Sequence, residues 1–129
     1  MTRIAVAFFA SAVLYAFAAV MLCIFMGASN DLTLAPVDSH MSILGWASLA
    51  GMGAFYGIAG EYAPPRLAWG NLIVSNVGNL ITLPTLAMQL RGDARLPHVL
   101  ALGQLLIATG LLLFGSAVVA VSRRAPQTI

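Results

Sequence analysis

Two imidazoles and one row of amides and hydroxyls are the groups in this chain whose types and spacing could do chemistry. His40 follows Pro36 by four residues and His98 directly follows Pro97. Proline suits the first turn of a helix, so both histidines are expected at helix mouths. A neutral imidazole is a good ligand for haem iron or another transition metal, and burial favours the neutral form. Asn71, Ser75, Asn79 and Thr82 are spaced by four, four and three, which stacks them along one side of a helix. Asn76 stands beside that row. Such groups can bond neighbouring helices, line a path for a solute or meet a ligand.

Other chemistries have less material. Cys23 is the single cysteine, so no internal disulfide can form and thiolate metal clusters do not arise. Asp31 and Asp38 could offer oxygen ligands, but a closed zinc site normally wants four ligands. Ser39 beside His40 is a sequence neighbour rather than part of a triad, and no glycine-rich phosphate loop with a lysine is present. Asp31, Asp38, Glu61 and Asp93 all fall in connections. That leaves no carboxylate at membrane depth for proton-coupled export, although movement of a neutral solute stays open.

The elements that position these groups are set by the charges, which occur only at intervals: Arg3, then Asp31 and Asp38, Glu61 and Arg66, Arg91 to Arg95, and Arg123 with Arg124. Between them lie the apolar stretches Ile4 to Asn30, Met41 to Gly60, Leu67 to Leu90 and Leu96 to Ser122. A hydrocarbon core about 30 Å thick needs roughly 20 apolar residues in a helix, so each is long enough to cross. The expectation is an all-α integral membrane four-helix bundle in one domain over residues 1–129, with spans at about 4–28, 38–60, 67–90 and 97–121. The hydrophobic content of 60% and charged content of 8% leave too few solvating groups for a water-facing surface. The opening stretch also resembles a secretory signal, but its apolar run continues to Met26, past the usual signal core of about 7–15 residues.

Arg3, Arg66, Arg123 and Arg124 fall on one side of a four-span chain, and Arg91 and Arg95 on the other. The excess favours cytoplasmic N and C termini in a multi-pass protein of a bacterial inner (plasma) membrane. The basic balance therefore reads as topology, and no nucleic-acid partner is expected. Both histidines then lie on the non-cytoplasmic side, which makes His98 a candidate second metal ligand beside His40.

The second span is rich in small residues: Gly45, Ala47, Ala50, Gly51, Gly53, Ala54, Gly57 and Gly60. Gly53 and Gly57 form a GxxxG step. Such a face allows close helix packing, or it clears space for a flat prosthetic group, with Gly45, Ala47, Gly51 and Ala54 as the cofactor-facing set. Pro84 interrupts the third span and removes a bond to the Leu80 carbonyl. Tyr62 and Trp69 suit a membrane boundary, while Tyr56, if at depth, needs a partner for its hydroxyl.

The segment from Leu34 to Gly57 resembles the histidine-bearing helix of small four-span membrane proteins related to subunit I of the haem-copper oxidases, in which a PVHAH start is followed by an LLGW-type turn. Pro36, Val37, His40, Leu44, Gly45 and Trp46 match that pattern, and Asp38 replaces the first histidine of the pair. A second resemblance is to the styrene oxide isomerases, four-span membrane enzymes that contain haem b. His40 matches their haem ligand, and Asn76, Val77 and Gly78 match an Asn-Val-Gly step in their third helix. Trp46 and Leu80 stand where that family has an asparagine and a tyrosine. The resemblance implies haem b (iron) on His40 and a small apolar ligand near the catalytic pocket candidates Asn76, Asn79 and Trp46. Four short helices enclose little volume for a porphyrin, so a homo-oligomer (dimer or trimer) in the lipid bilayer is expected. The activities it implies are an isomerase of the epoxide type or an oxidase-related ligand-binding or redox protein. A small-solute transporter and a structural or assembly subunit without cofactor are the alternatives.

Overall fold

A computed structural model describes residues 2–126, and every regular element in that range is helical. Helix α1 (Arg3–Ser29) is started by Thr2, whose Oγ1 accepts from the Ala5 amide at 3.3 Å. It stops at Asn30, which takes the left-handed conformation at φ 52°. This closes a helix as glycine would, because a short polar side chain tolerates that region. The second span is built in pieces: α2 (Ala35–His40), a π-helical segment (Met41–Ala47), α3 (Ser48–Ala59) and a short 3-10 turn (Gly60–Tyr62). It begins three residues before the expected position 38, since Pro36 is accommodated in its first turn. Helix α4 (Pro65–Leu90) runs unbroken through Pro84, and α5 (Pro97–Arg124) starts on Pro97.

Four continuous helical stretches of 26 to 28 residues are long and apolar enough to cross a membrane. Within the bundle α1 packs along the second span and α4 packs along α5. Tyr56 joins the two pairs: its ring centroid lies 5.1 Å from that of Phe8 on α1 and 5.9 Å from that of Phe114 on α5. Ala12, Leu49, Met52, Ala68, Leu72 and Ala117 fill the space around these rings.

Small residues set the separations. A Cβ added at Gly53 would come within 2.9 Å of Phe8 Cβ, and one at Gly57 would touch Ala5 Cβ at 3.5 Å. The GxxxG step thus seats α1, the packing role expected of such a motif where lipid supplies no hydrophobic drive. Polarity is arranged for a bilayer. Asn71, Ser75, Asn79, Thr82 and Thr85 are buried, whereas Leu14, Ile58 and Leu112 are 70%, 89% and 73% exposed. A soluble protein sorts these residue types the other way.

Candidate functional site

His40 ends α2 and sits where the helix widens into the π segment. Its Nδ1 lies 3.0 Å from the Pro36 carbonyl oxygen. A carbonyl only accepts, so Nδ1 carries a hydrogen, and in the neutral ring the lone pair is then on Nε2. This is the arrangement that orients histidine ligands in metal sites, where the remote ring nitrogen is tied to a carbonyl or carboxylate. Beside the ring lies a surface depression of about 270 Å³ lined by Ser39, His40, Ile43 and Leu44.

The π segment is fixed from two sides. Ser48 donates to the Ile43 carbonyl, five residues back, instead of to Leu44 four residues back. Asn79 of α4 directs its Nδ2 at the Leu44 carbonyl at 3.4 Å. On the other side Gly45 meets the Tyr15 ring of α1: a Cβ there would lie 2.6 Å from Tyr15 Cγ. Only glycine permits this approach. A π turn inside an α-helix is uncommon and concentrates at functional sites; here it re-aims His40 relative to the rest of the span.

The small residues of the second span divide into two sets. Gly45 is buried against α1, while Ala47, Gly51 and Ala54 are exposed. With Ile43 and Ile58 they form an outward stripe spaced by four, four, three and four. No heavy atom lies within 4 Å of a Cβ added at Gly51, and farther down Phe9, Ala54, Gly57 and Ile58 border a second depression of about 410 Å³. Ile43 belongs to both the His40 depression and the stripe.

The pocket candidates Trp46, Asn76 and Asn79 face different ways. Trp46 is exposed, Asn79 is buried on the Leu44 carbonyl, and Asn76 donates its Nδ2 to the Leu72 carbonyl of its own helix at 2.9 Å. His98 is exposed in the first turn of α5. Among the described residues no three of the His, Cys, Asp and Glu side chains form a group suited to a metal ion.

The polar row on α4 is an interhelical seam. Asn71 donates to the Tyr56 hydroxyl at 3.1 Å and approaches Met52 Sδ at 3.4 Å, and Ser75 donates to Asn71 Oδ1 at 3.0 Å. Tyr56 thereby has the partner its depth requires. Ser75 and Thr82 stand directly over Gly110 and Gly103 of α5, which have no side chain to obstruct them. Sequence reasoning did not single out Tyr15 or Ser11, which also lie at a cavity; their i, i+4 spacing within the first span was the available signal.

Compared with protein-family models, curated proteins and solved structures, the chain matches none.

Proposed function

We propose that this is a multi-pass membrane protein that binds haem b through Nε2 of His40, with both termini on the cytoplasmic face of a bacterial plasma membrane. The observation that carries the reading is the Nδ1 bond to the Pro36 carbonyl, which leaves the other ring nitrogen free and oriented. The residues around it suit the group. Ile43 and Leu44 give the imidazole apolar walls, and Ala47, Gly51 and Ala54 leave the stretch of the outward stripe between Ile43 and Ile58 lined by small residues. The resemblance of Pro36 to Trp46 to the histidine-bearing helix of oxidase-related and isomerase-type proteins supports the same assignment. The outward stripe is open on one side, so a second copy of the chain would complete the enclosure in a dimer or trimer.

Bound there, haem supplies an iron that can take a small ligand, act as a Lewis acid or exchange an electron. The chain's own contribution is to orient the imidazole, with Nδ1 as the donor to Pro36, and to border it with the apolar Ile43 and Leu44. Trp46 and Leu80 are exposed and neither can relay a proton, so the epoxide-isomerising activity implied by resemblance has no acid or base assigned among them. A solute path along Asn71 to Thr82 is disfavoured because those side chains are packed against Tyr56, Gly103 and Gly110.

Absorption spectra of purified wild type, His40→Ala and His98→Ala test the assignment. Wild type from haem-supplied cells should show a Soret band, and His40→Ala should lose it while keeping the far-UV helical signal. A change of spin state in His98→Ala would make His98 the sixth ligand. A colourless wild type, or full haem retention by His40→Ala, refutes the proposal.

A further inference from the structure

A further cavity, which shares no lining residue with the depression at His40, lies between α1 and α4. It has a volume of about 270 Å³ and is lined by Ser11, Leu14, Tyr15, Ala18, Asn76 and Leu80. Ser11 and Tyr15 are the ninth and thirteenth of the 27 residues of α1, and Asn76 is the twelfth of the 26 residues of α4, so the polar lining falls between a third of the way along and the middle of the spans. Leu14 and Leu80 form the rim and are 70% and 66% exposed, which opens the cavity sideways to lipid rather than to water.

The hydrogen-bonding capacity of the lining is specific. Asn76 Nδ2 is used on the Leu72 carbonyl at 2.9 Å; because a carbonyl only accepts, the amide orientation is fixed and Oδ1 is left as a free acceptor. The Tyr15 hydroxyl donates toward the backbone carbonyl of Asn76 at 3.5 Å, so its lone pairs also face outward as acceptors. Ser11 Oγ makes no hydrogen bond among the described residues, unlike Ser29, Thr109 and Ser116, whose hydroxyls each bond the carbonyl four residues back in their own helix. Free acceptors at membrane depth are costly unless something supplies a hydrogen.

We infer that this cavity is a binding site for a neutral, largely apolar molecule bearing one hydroxyl group, a phenol or a compact alcohol, that enters from the bilayer and donates its hydrogen to Asn76 Oδ1. The apolar walls of Leu14, Ala18 and Leu80 take the hydrocarbon body, and the hydroxyl of Ser11 is within the same lining to bond the ligand oxygen. A small cavity with a few convergent polar groups is the usual form of a small-molecule site. This inference does not rest on the haem reading, since no lining residue belongs to the second span.

The test is calorimetric titration of the full chain in lipid nanodiscs with 2-naphthol, using empty nanodiscs to subtract partitioning. The donor-less ether 2-methoxynaphthalene is the control. Saturable binding of 2-naphthol is expected, about tenfold weaker for the ether, because one hydrogen bond of ordinary strength is lost. Asn76→Leu should reduce 2-naphthol affinity by a similar factor and leave the ether unaffected. Leu80→Trp, a change at the lipid-exposed rim, should block both ligands while circular dichroism is unchanged. Equal binding of alcohol and ether, no saturable component above empty nanodiscs, or wild-type naphthol affinity in both variants would overturn the proposal.

Discussion

Replacing Gly78 with alanine tests the closeness of α4 and α5 at a single methyl group. The added Cβ would lie 2.9 Å from both Ile107 Cγ1 and the Ile107 backbone nitrogen, and 3.0 Å from the Gly103 carbonyl oxygen. Two of these three atoms are backbone, so no rotamer change relieves the contact and the helices must part. Overpacking of this kind costs about 1–3 kcal/mol, while alanine recovers about 0.5–1 kcal/mol of helix propensity relative to glycine. Because two of the contacts are backbone, the overpacking falls in the upper part of its range, about 2–3 kcal/mol, and the net expectation is a loss of about 1–2.5 kcal/mol. Gly115 on α5 supplies the control, because a Cβ there has no heavy atom within 4 Å; Gly115→Ala should be neutral or slightly stabilising. Reversible unfolding in mixed micelles of mild and denaturing detergent, followed by far-UV circular dichroism, measures both. Ile107→Ala should not rescue Gly78→Ala, since the backbone contacts survive that change. Wild-type stability for Gly78→Ala, or an equal loss for Gly115→Ala, would refute the close-approach argument.

The Asn71–Tyr56 bond should show a coupling of about 0.6 kcal/mol, and no more than about 1.7 kcal/mol, in a double-mutant cycle of Asn71→Leu and Tyr56→Phe, the average and the maximum for hydrogen bonds between membrane helices; additive losses would remove the bond from the seam. In the connection between α4 and α5, the Arg95 guanidinium holds the Asp93 carboxyl below its ordinary value of 3.8. A lowered folded value means that this contribution is present above the ordinary value and disappears as pH falls through the lowered one. Stability should therefore be insensitive to this pair between pH 7 and 5, and an NMR titration of Asp93 should shift upward in Arg95→Gln; an unchanged titration would count against the pair.

The four spans were legible because every charge lies near a helix end or in a connection, and a bilayer needs long uncharged stretches; Asp38, expected in a connection, falls instead in the first turn of α2. The inward direction of the Asn71, Ser75, Asn79 and Thr82 row was legible too, since spacing of three and four puts side chains on one face. Their partners were not: that Ser75 rests on Gly110 and Thr82 on Gly103 depends on which helix pairs with α4. The division of the small residues was equally hidden. Gly45, Ala47, Gly51 and Ala54 looked equivalent in composition, but the π segment turns Gly45 toward Tyr15 and leaves the other three outward. Nothing in the periodicity of MSILGWA distinguishes a π turn from an α turn. The cavity beside Asn76 was illegible for a similar reason, because Ser11 and Tyr15 meet Asn76 only once α1 lies against α4.

The π segment is also what gives His40 its place, and it is maintained by residues on two other helices. A widened turn withdraws the Ser48 amide from the Leu44 carbonyl and gives it to Ile43, so the segment survives at depth only if another donor covers the acceptor left behind. Asn79 is that donor. The wider turn also needs room, which Gly45 provides by admitting the Tyr15 ring where any β-carbon would collide. Tyr15 in turn is steadied through its hydroxyl by the Asn76 carbonyl. The orientation of one imidazole therefore depends on a glycine in its own span, a tyrosine in α1 and an asparagine in α4, which is why His40 is better understood as a product of the assembled bundle than of the helix that carries it.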